Sequence, residues 1–195
     1  MPDLPNRRDR EAELAVAIWL IFRRLRSLPL DETGLVRSLT TAMTPPLIDT
    51  YVAAARNLPL PAGASEMIEE SAMSWANNYA PALAAEVVDS TVHRIDPSQG
   101  PNQLETILSK QRAEDIAVTE TTRAITAAEA WVVLWMVQED GRQPEKIWQT
   151  EHDAKVCPVC RPLNNQNETV WRQTSPGGPP AHPRCRCWLK YRRSA

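Results

Sequence analysis

Cys157-Pro158-Val159-Cys160 and, 24 residues on, Cys185-Arg186-Cys187 contain all four cysteines of this 195-residue chain. Their spacing decides how the C-terminal part is read. A two-residue spacer lets both thiolates of a Cys-x-x-Cys knuckle face one ion, and zinc takes four sulfur or nitrogen ligands in a tetrahedron. A Cys-x-Cys pair at a strand end or tight turn can supply the other two. Cys157, Cys160, Cys185 and Cys187 therefore read as one structural zinc site of zinc-ribbon-like closure. His182, three residues before Cys185, is within reach as a substitute ligand. Two disulfides or four free thiols are the alternatives. Disulfides are disfavoured because no secretory signal precedes the cysteines and a reducing cytosol keeps thiols free. Four thiolates leave no open position for water, so the spacing points to a structural rather than a catalytic ion.

Around this site the texture is short and irregular. Lys146 to Thr150 alternates and predicts a strand, Glu168 to Arg172 a second, and Cys185 to Tyr191 a third. Ser175-Pro-Gly-Gly-Pro-Pro180 reads as a rigid loop. So few regular elements bury little surface, and metal binding would supply much of the folding free energy. Trp148, Trp171 and Trp188 are the expected cover of this small core.

Upstream the pattern is helical. Leu14, Ile18, Ile21, Phe22 and Leu25 recur at helical spacing within residues 7–28, which Pro29 ends. A second helix is expected from about Asp31 to Met43. Thr44-Pro45-Pro46 reads as a fresh start, with Thr as N-cap and Pro at the first helical position. Pro59, Pro61 and Gly63 form a linker. A long helix starts near Ser65, and Pro81 should kink or split it. Residues 102–138 carry the longest helical pattern, with one break allowed. Its end, Ala130 to Val137, is apolar nearly all round and should be buried here or against another chain. The expected architecture is mainly α, with a long central helix and a small β-rich module, α+β overall. The expected divisions are 1–63, an N-terminal helical region; 64–143, the long-helix region; and 144–195, the zinc-binding module.

Charge is uneven. The formal net charge is −2, but Trp171–Ala195 holds six of the 22 bases and none of the 24 acids, leaving about −8 over residues 1–170. A basic tail on an acidic body suits an acidic partner surface or nucleic acid as well as it suits a solubilised terminus. The longest apolar run, Leu14 to Phe22, is nine residues and too short to span a bilayer. Asp9, Glu11 and Glu13 precede it, Arg23, Arg24 and Arg26 follow it, and no small-x-small cleavage site appears. It therefore reads as the buried face of a helix rather than a signal core, and the protein as intracellular, with no membrane contact.

Enzyme signatures are missing. No His-x-Glu precedes a Pro-Cys-x-x-Cys, as a nucleobase deaminase needs. There is no His-Glu-x-x-His and no Gly-rich phosphate loop. His93, His152 and His182 are the only histidines, too few for a paired-histidine nuclease site. Glu120 and Arg123 sit three apart on a helix and read as a local ion pair that helps orient the module. Asp153 reads as a turn or outer-shell group acting through Arg184 or Arg186.

Four segments in order carry a resemblance: Thr119-Glu120-Thr121-Thr122-Arg123-Ala124; Trp148-Gln149-Thr150; Asp153-Ala154-Lys155-Val156 leading into the first knuckle; and Pro179-Pro180-Ala181-His182-Pro183-Arg184-Cys185-Arg186-Cys187. Over roughly residues 110–190 the chain resembles the C-terminal half of tailed-phage head morphogenesis proteins, the Mu F-like minor capsid family. The closing Pro-Pro-x-His-Pro-x-Cys-Arg-Cys string is the most specific part. The resemblance implies a non-enzymatic minor head component without a small-molecule substrate. Such a component works in host cytoplasm during assembly and in the virion. Its partners would be the portal or the major capsid protein, with packaged DNA as a further contact for the basic tail. A zinc-dependent nucleic-acid-binding protein is the alternative, although neither a helix-turn-helix nor finger spacing is present.

Overall fold

The computed structural model describes residues 4–25, 31–60, 63–96, 98, 103–141, 143–151 and 156–192. Four long or fairly long helices make the body: α1 (Arg7–Leu25), α2 (Glu32–Arg56), α3 (Ile68–Val92) and α5 (Lys110–Asp140), with a short α4 (Gln103–Ile107) before the last. A small module follows, with strands β1 (Glu145–Gln149) and β2 (Trp188–Arg192) and one helical turn, α6 (Glu168–Trp171). The protein is thus mainly α with a small β part.

α2 is the centre of the body. Leu35, Leu39, Met43, Leu47, Tyr51 and Ala55 recur every fourth residue and are all buried. On α3 the matching row is Ile68, Ala72, Ala76, Ala80, Ala84 and Val88, also buried. Rows at i, i+4 pack as ridges into grooves, and alanine ridges keep little bulk between two helices. α1 and α5 pack against each other and against α2. Two apolar clusters result, one around Phe22, Leu39 and Leu83, the other around Tyr51, Ile125 and Val132.

The expected break at Thr44-Pro45-Pro46 does not occur: α2 runs unbroken from Glu32 to Arg56. Prolines 45 and 46 leave the carbonyls of Thr41 and Ala42 without their i+4 donors. Thr41 is exposed and Ala42 half-buried, so water reaches that side, while Met43 and Leu47 are fully buried on either side of the prolines. Packing outweighs the local stop signal. α3 likewise continues through Pro81, which sits on the exposed face. The break allowed in the long pattern falls at Leu108-Ser109, where the Ser109 side chain accepts the Arg112 backbone N–H at 3.2 Å and caps α5. Gly141, at φ 69°, ends α5 in the left-handed conformation that glycine adopts at low cost.

In the module, β1 and β2 pair antiparallel, Trp148 opposite Leu189. The strand expected at Glu168–Arg172 is helical instead. Asn167 supplies the reason: its side chain accepts the Val170 N–H at 3.3 Å and starts a turn of helix. Trp148 and Trp171, both buried, meet with ring centroids 5.9 Å apart, and Trp188 is half-buried on β2.

Candidate metal centre

Two tight turns build the centre. In the first, the Cys160 backbone N–H donates to Cys157 Sγ at 3.3 Å, and Arg161 N–H donates to the Cys157 carbonyl at 3.0 Å. The knuckle thereby aims both sulfurs to one side. In the second, Cys185 N–H donates to the His182 carbonyl at 3.2 Å, with Arg184 between them at φ 63°. That turn folds His182 back beside Cys185.

The two turns face each other. His182 Nε2 lies 2.9 Å from Cys157 Sγ and 3.1 Å from Cys160 Sγ, and Cys160 Sγ lies 3.8 Å from Cys185 Sγ. Two metal-competent triads overlap at Cys160: Cys157, Cys160 and His182; and Cys160, Cys185 and Cys187. With Zn–S near 2.3 Å, the sulfur–sulfur edge of a tetrahedron is about 3.8 Å, the Cys160–Cys185 separation. The sulfur–nitrogen distances are shorter than a tetrahedral edge of about 3.6 Å, so a bound ion would move the imidazole outward by a few tenths of an ångström.

His182 is set up as a donor. Its Nδ1 is 2.7 Å from the Pro183 carbonyl, which can only accept. The proton therefore sits on Nδ1, leaving the Nε2 lone pair toward the sulfurs, the arrangement of metal-bound histidines. Among the thiols, a hydrogen bond from Cys160 holds Cys185 well below its usual value, to about 2. The reciprocal bond, with burial, pushes Cys160 up. For Cys187 the bond with Cys160 acts downward, but contact with Cys185 and burial outweigh it and push the thiol up to about 12. The donor set fits a thiophilic ion such as zinc.

The site is moored to the helical body by groups far away in sequence. Arg7, 3 % exposed, donates to the Arg186 carbonyl at 3.0 Å and also to Thr122 Oγ1. The Thr122 hydroxyl donates to the Cys185 carbonyl. Glu11, buried on α1, accepts the Arg186 guanidinium through both oxygens, at 3.0 and 3.2 Å, and Arg7 Nε at 3.1 Å. Arg184 N–H donates to Thr119 Oγ1 at 2.9 Å, and its guanidinium meets Asp115 at 2.7 Å. Arg184 and Arg186, expected to relay Asp153 to the ligands or to form a basic tail, are bound to Asp115 and Glu11. His152 and Asp153 themselves lie outside the described residues.

Glu120 pairs with Arg123 at 3.1 Å as expected. It does not orient the module, however: it is buried against Tyr79 of α3, whose hydroxyl donates to it. Burial raises the Glu120 carboxyl above its ordinary value, against the pull of Tyr79 and Arg123. Its neighbours Thr119 and Thr122 take the orienting role. Nothing local in the sequence marks Arg7, Glu11 or Thr122 as partners of the cysteine turns. Only the Arg7–Glu11 spacing of four hints at an ion pair.

Residues 75–190 match the family model described as Phage Mu protein F like protein. That is more than half of the chain, and the chain belongs to this family. The match includes every candidate ligand and the Thr119 and Thr122 anchors, and it leaves out α1 with Arg7 and Glu11. No curated protein and no solved structure matches the chain. No described helix is long and apolar enough to cross a membrane.

Proposed function

We propose that this Mu F-like protein is a minor head component that acts in assembly of a tailed-phage head, at the portal or the inner capsid wall, with one structural zinc ion. The observation that carries the reading is the family match itself, over the segment that contains both cysteine turns. The geometry supports a structural role for the ion. All five donor groups are drawn together, and the backbone on either side of Cys185 is pinned to α1 and α5. We assign the ion to Cys157, Cys160, His182 and Cys185, with Cys187 as a fifth neighbour. The place of His182 Nε2, 2.9 Å from Cys157 Sγ and 3.1 Å from Cys160 Sγ, favours this set.

The end of α5 carries an apolar patch that would suit docking in an assembly. Leu134 is 60 % exposed, and Trp131 and Trp135, ring centroids 6.0 Å apart, are half-buried beside it. The nucleic-acid reading loses its main support, because Arg184 and Arg186 are held by carboxylates and Arg192 lies 3.8 Å from Glu145.

The test is complementation of a phage deleted for this gene, with metal content measured on the purified protein. The deletion should abolish filled heads. Wild type and Cys187→Ser should restore them and carry one zinc per chain, whereas Cys160→Ser and His182→Ala should lose both. Normal heads from the deletion phage would overturn the assembly role; a metal-free wild type with ordered, reduced cysteines would overturn the zinc assignment.

A further inference from the structure

α3 and α5 flank an open cleft of about 530 Å³ whose third wall is the turn from Pro180 to Pro183. Of the candidate metal ligands only His182 lines it. Part of the lining is apolar: Leu83 and Val87 are buried and Ile116 is half-buried. The two ends differ in charge. At one, Glu86 acts on the Glu120–Arg123 pair. At the other are Arg94 and Arg112. Arg94 is eight positions past Glu86, about 12 Å along a helical rise of 1.5 Å per residue.

Arg112 is half-buried and fixed in place. It donates to Thr91 Oγ1 at 2.9 Å, Ser90 Oγ at 2.8 Å and the Ile107 carbonyl at 3.0 Å, and more weakly to the Val87 carbonyl at 3.4 Å. Its guanidinium carbon lies 5.7 Å from the centre of the Phe22 ring. Every one of these partners is uncharged. Arg94 is exposed, and neither arginine has an ion-pair partner among the described residues. Burial and the neighbouring Arg94 charge both push Arg112 below its ordinary value. The C-terminal end of α3 offsets only part of the excess, because a helix end carries about half an elementary charge. The corner therefore stays positive. Two like charges held together in a cleft mark a place for a ligand of opposite charge.

We propose that this corner binds the phosphate of a small organic phosphate, held as a ligand with its apolar body along Leu83, Val87 and Ile116. Arginine suits phosphate oxygens through its fork of N–H donors. A phosphate dianion matches two guanidiniums, whereas a carboxylate would leave one without a counter-charge. The cleft volume lies in the range of small-ligand pockets, about 300–1,000 Å³. A long polyanion fits poorly, because the first 170 residues sum to about −8 and repel a nucleic-acid strand wherever it leaves the cleft. The site does not depend on the assembly role.

The experiment is titration calorimetry of the full zinc-loaded chain at about pH 8, where phosphate monoesters are dianions. It compares phenyl phosphate, inorganic phosphate and benzoate. Phenyl phosphate should bind saturably at one per chain, inorganic phosphate severalfold more weakly and benzoate at least tenfold more weakly. Arg94→Gln, at an exposed position, should weaken phenyl phosphate binding at least tenfold with an unchanged melting temperature. Arg8→Gln removes an exposed arginine of α1 that lies outside the cleft and should leave binding unchanged. No saturable binding of phenyl phosphate, equal binding of benzoate or of inorganic phosphate, full affinity in Arg94→Gln, an equal loss in Arg8→Gln, or displacement of phenyl phosphate by duplex DNA would each overturn the proposal.

Discussion

The helical body and the cysteine module are held together by different physics. The body buries two apolar clusters of leucines, alanines, valines and aromatics, and single residues such as Leu39, Met43 and Leu47 are fully enclosed. The module has one cluster of seven buried residues, three of them cysteines, around a pair of five-residue strands. Hydrophobic burial scales with area, so the body has the larger apolar core, whereas the module has a small one, a Cys/His cluster that could hold a metal ion, and its mooring to α1 and α5. What the contrast singles out is the charged network at Arg7, Glu11 and Arg186, which bonds the cysteine turn to α1.

Removing the metal should break the comparison most strongly. Structural zinc contributes on the order of 10 kcal/mol to the folding of small domains. Chelation should therefore unfold the module, seen as loss of the near-ultraviolet signal of Trp148 and Trp171, while far-ultraviolet helix content stays near its starting value. Loss of the helical signal in parallel would show that the body also depends on the ion.

Glu11→Ala comes next. It leaves the buried Arg7 and half-buried Arg186 without their shared carboxylate, and breaking such a buried network costs about 3–5 kcal/mol. Because coupling between two sites is reciprocal, this variant should also release zinc to a chelator faster than wild type. An unchanged release rate would show that the two halves are joined mechanically but not energetically.

Leu47→Ala acts on the body alone. Deleting a fully buried leucine side chain costs about 2–5 kcal/mol, read as a lower denaturant midpoint for the helical signal, with zinc release unaltered. A faster release here would extend the coupling beyond the Glu11 joint. Arg184→Ala removes a pair whose members are 50 % and 37 % exposed and should cost about 1 kcal/mol or less.

The smallest effect concerns pH. The Glu120 carboxyl is raised by burial, so its contribution to stability is full below the ordinary value of 4.5 and is lost as pH rises through the higher folded value. Glu120→Gln should flatten the stability profile above pH 4.5, in equilibrium denaturation at several pH values. A profile parallel to wild type would mean that Tyr79 and Arg123 cancel the burial entirely.

Much of this design was legible in the residue order. Spacing alone placed α1, a long helical pattern over residues 102–138 with one break allowed, the strand at Lys146 and the grouping of cysteines with His182. Misreadings came where a local signal met a global one. Pro45-Pro46 and Pro81 carry strong stop signals, yet the residues whose carbonyls lose a donor, Thr41, Ala42 and Asn77, are exposed or half-buried, and the enclosed Met43, Leu47 and Ala80 keep both helices intact. Glu168–Arg172 looked like a strand until Asn167 proved to cap a helical turn, a hydrogen bond that competes with strand pairing over a few residues.

The sequence by itself determined that the tail would close around its cysteines, because ligand type and spacing are properties of short segments. It also determined that most of the rest would be helix, through four-residue recurrence of buried positions. Only the tertiary structure decided what the arginines of the Cys-Arg-Cys turn are for. Arg186 reads as a solvated tail charge until α1, some 175 positions away, brings Glu11 to meet it. A contact of that span is set by how helices stack, and stacking follows from the shape of the whole core rather than from any segment within it.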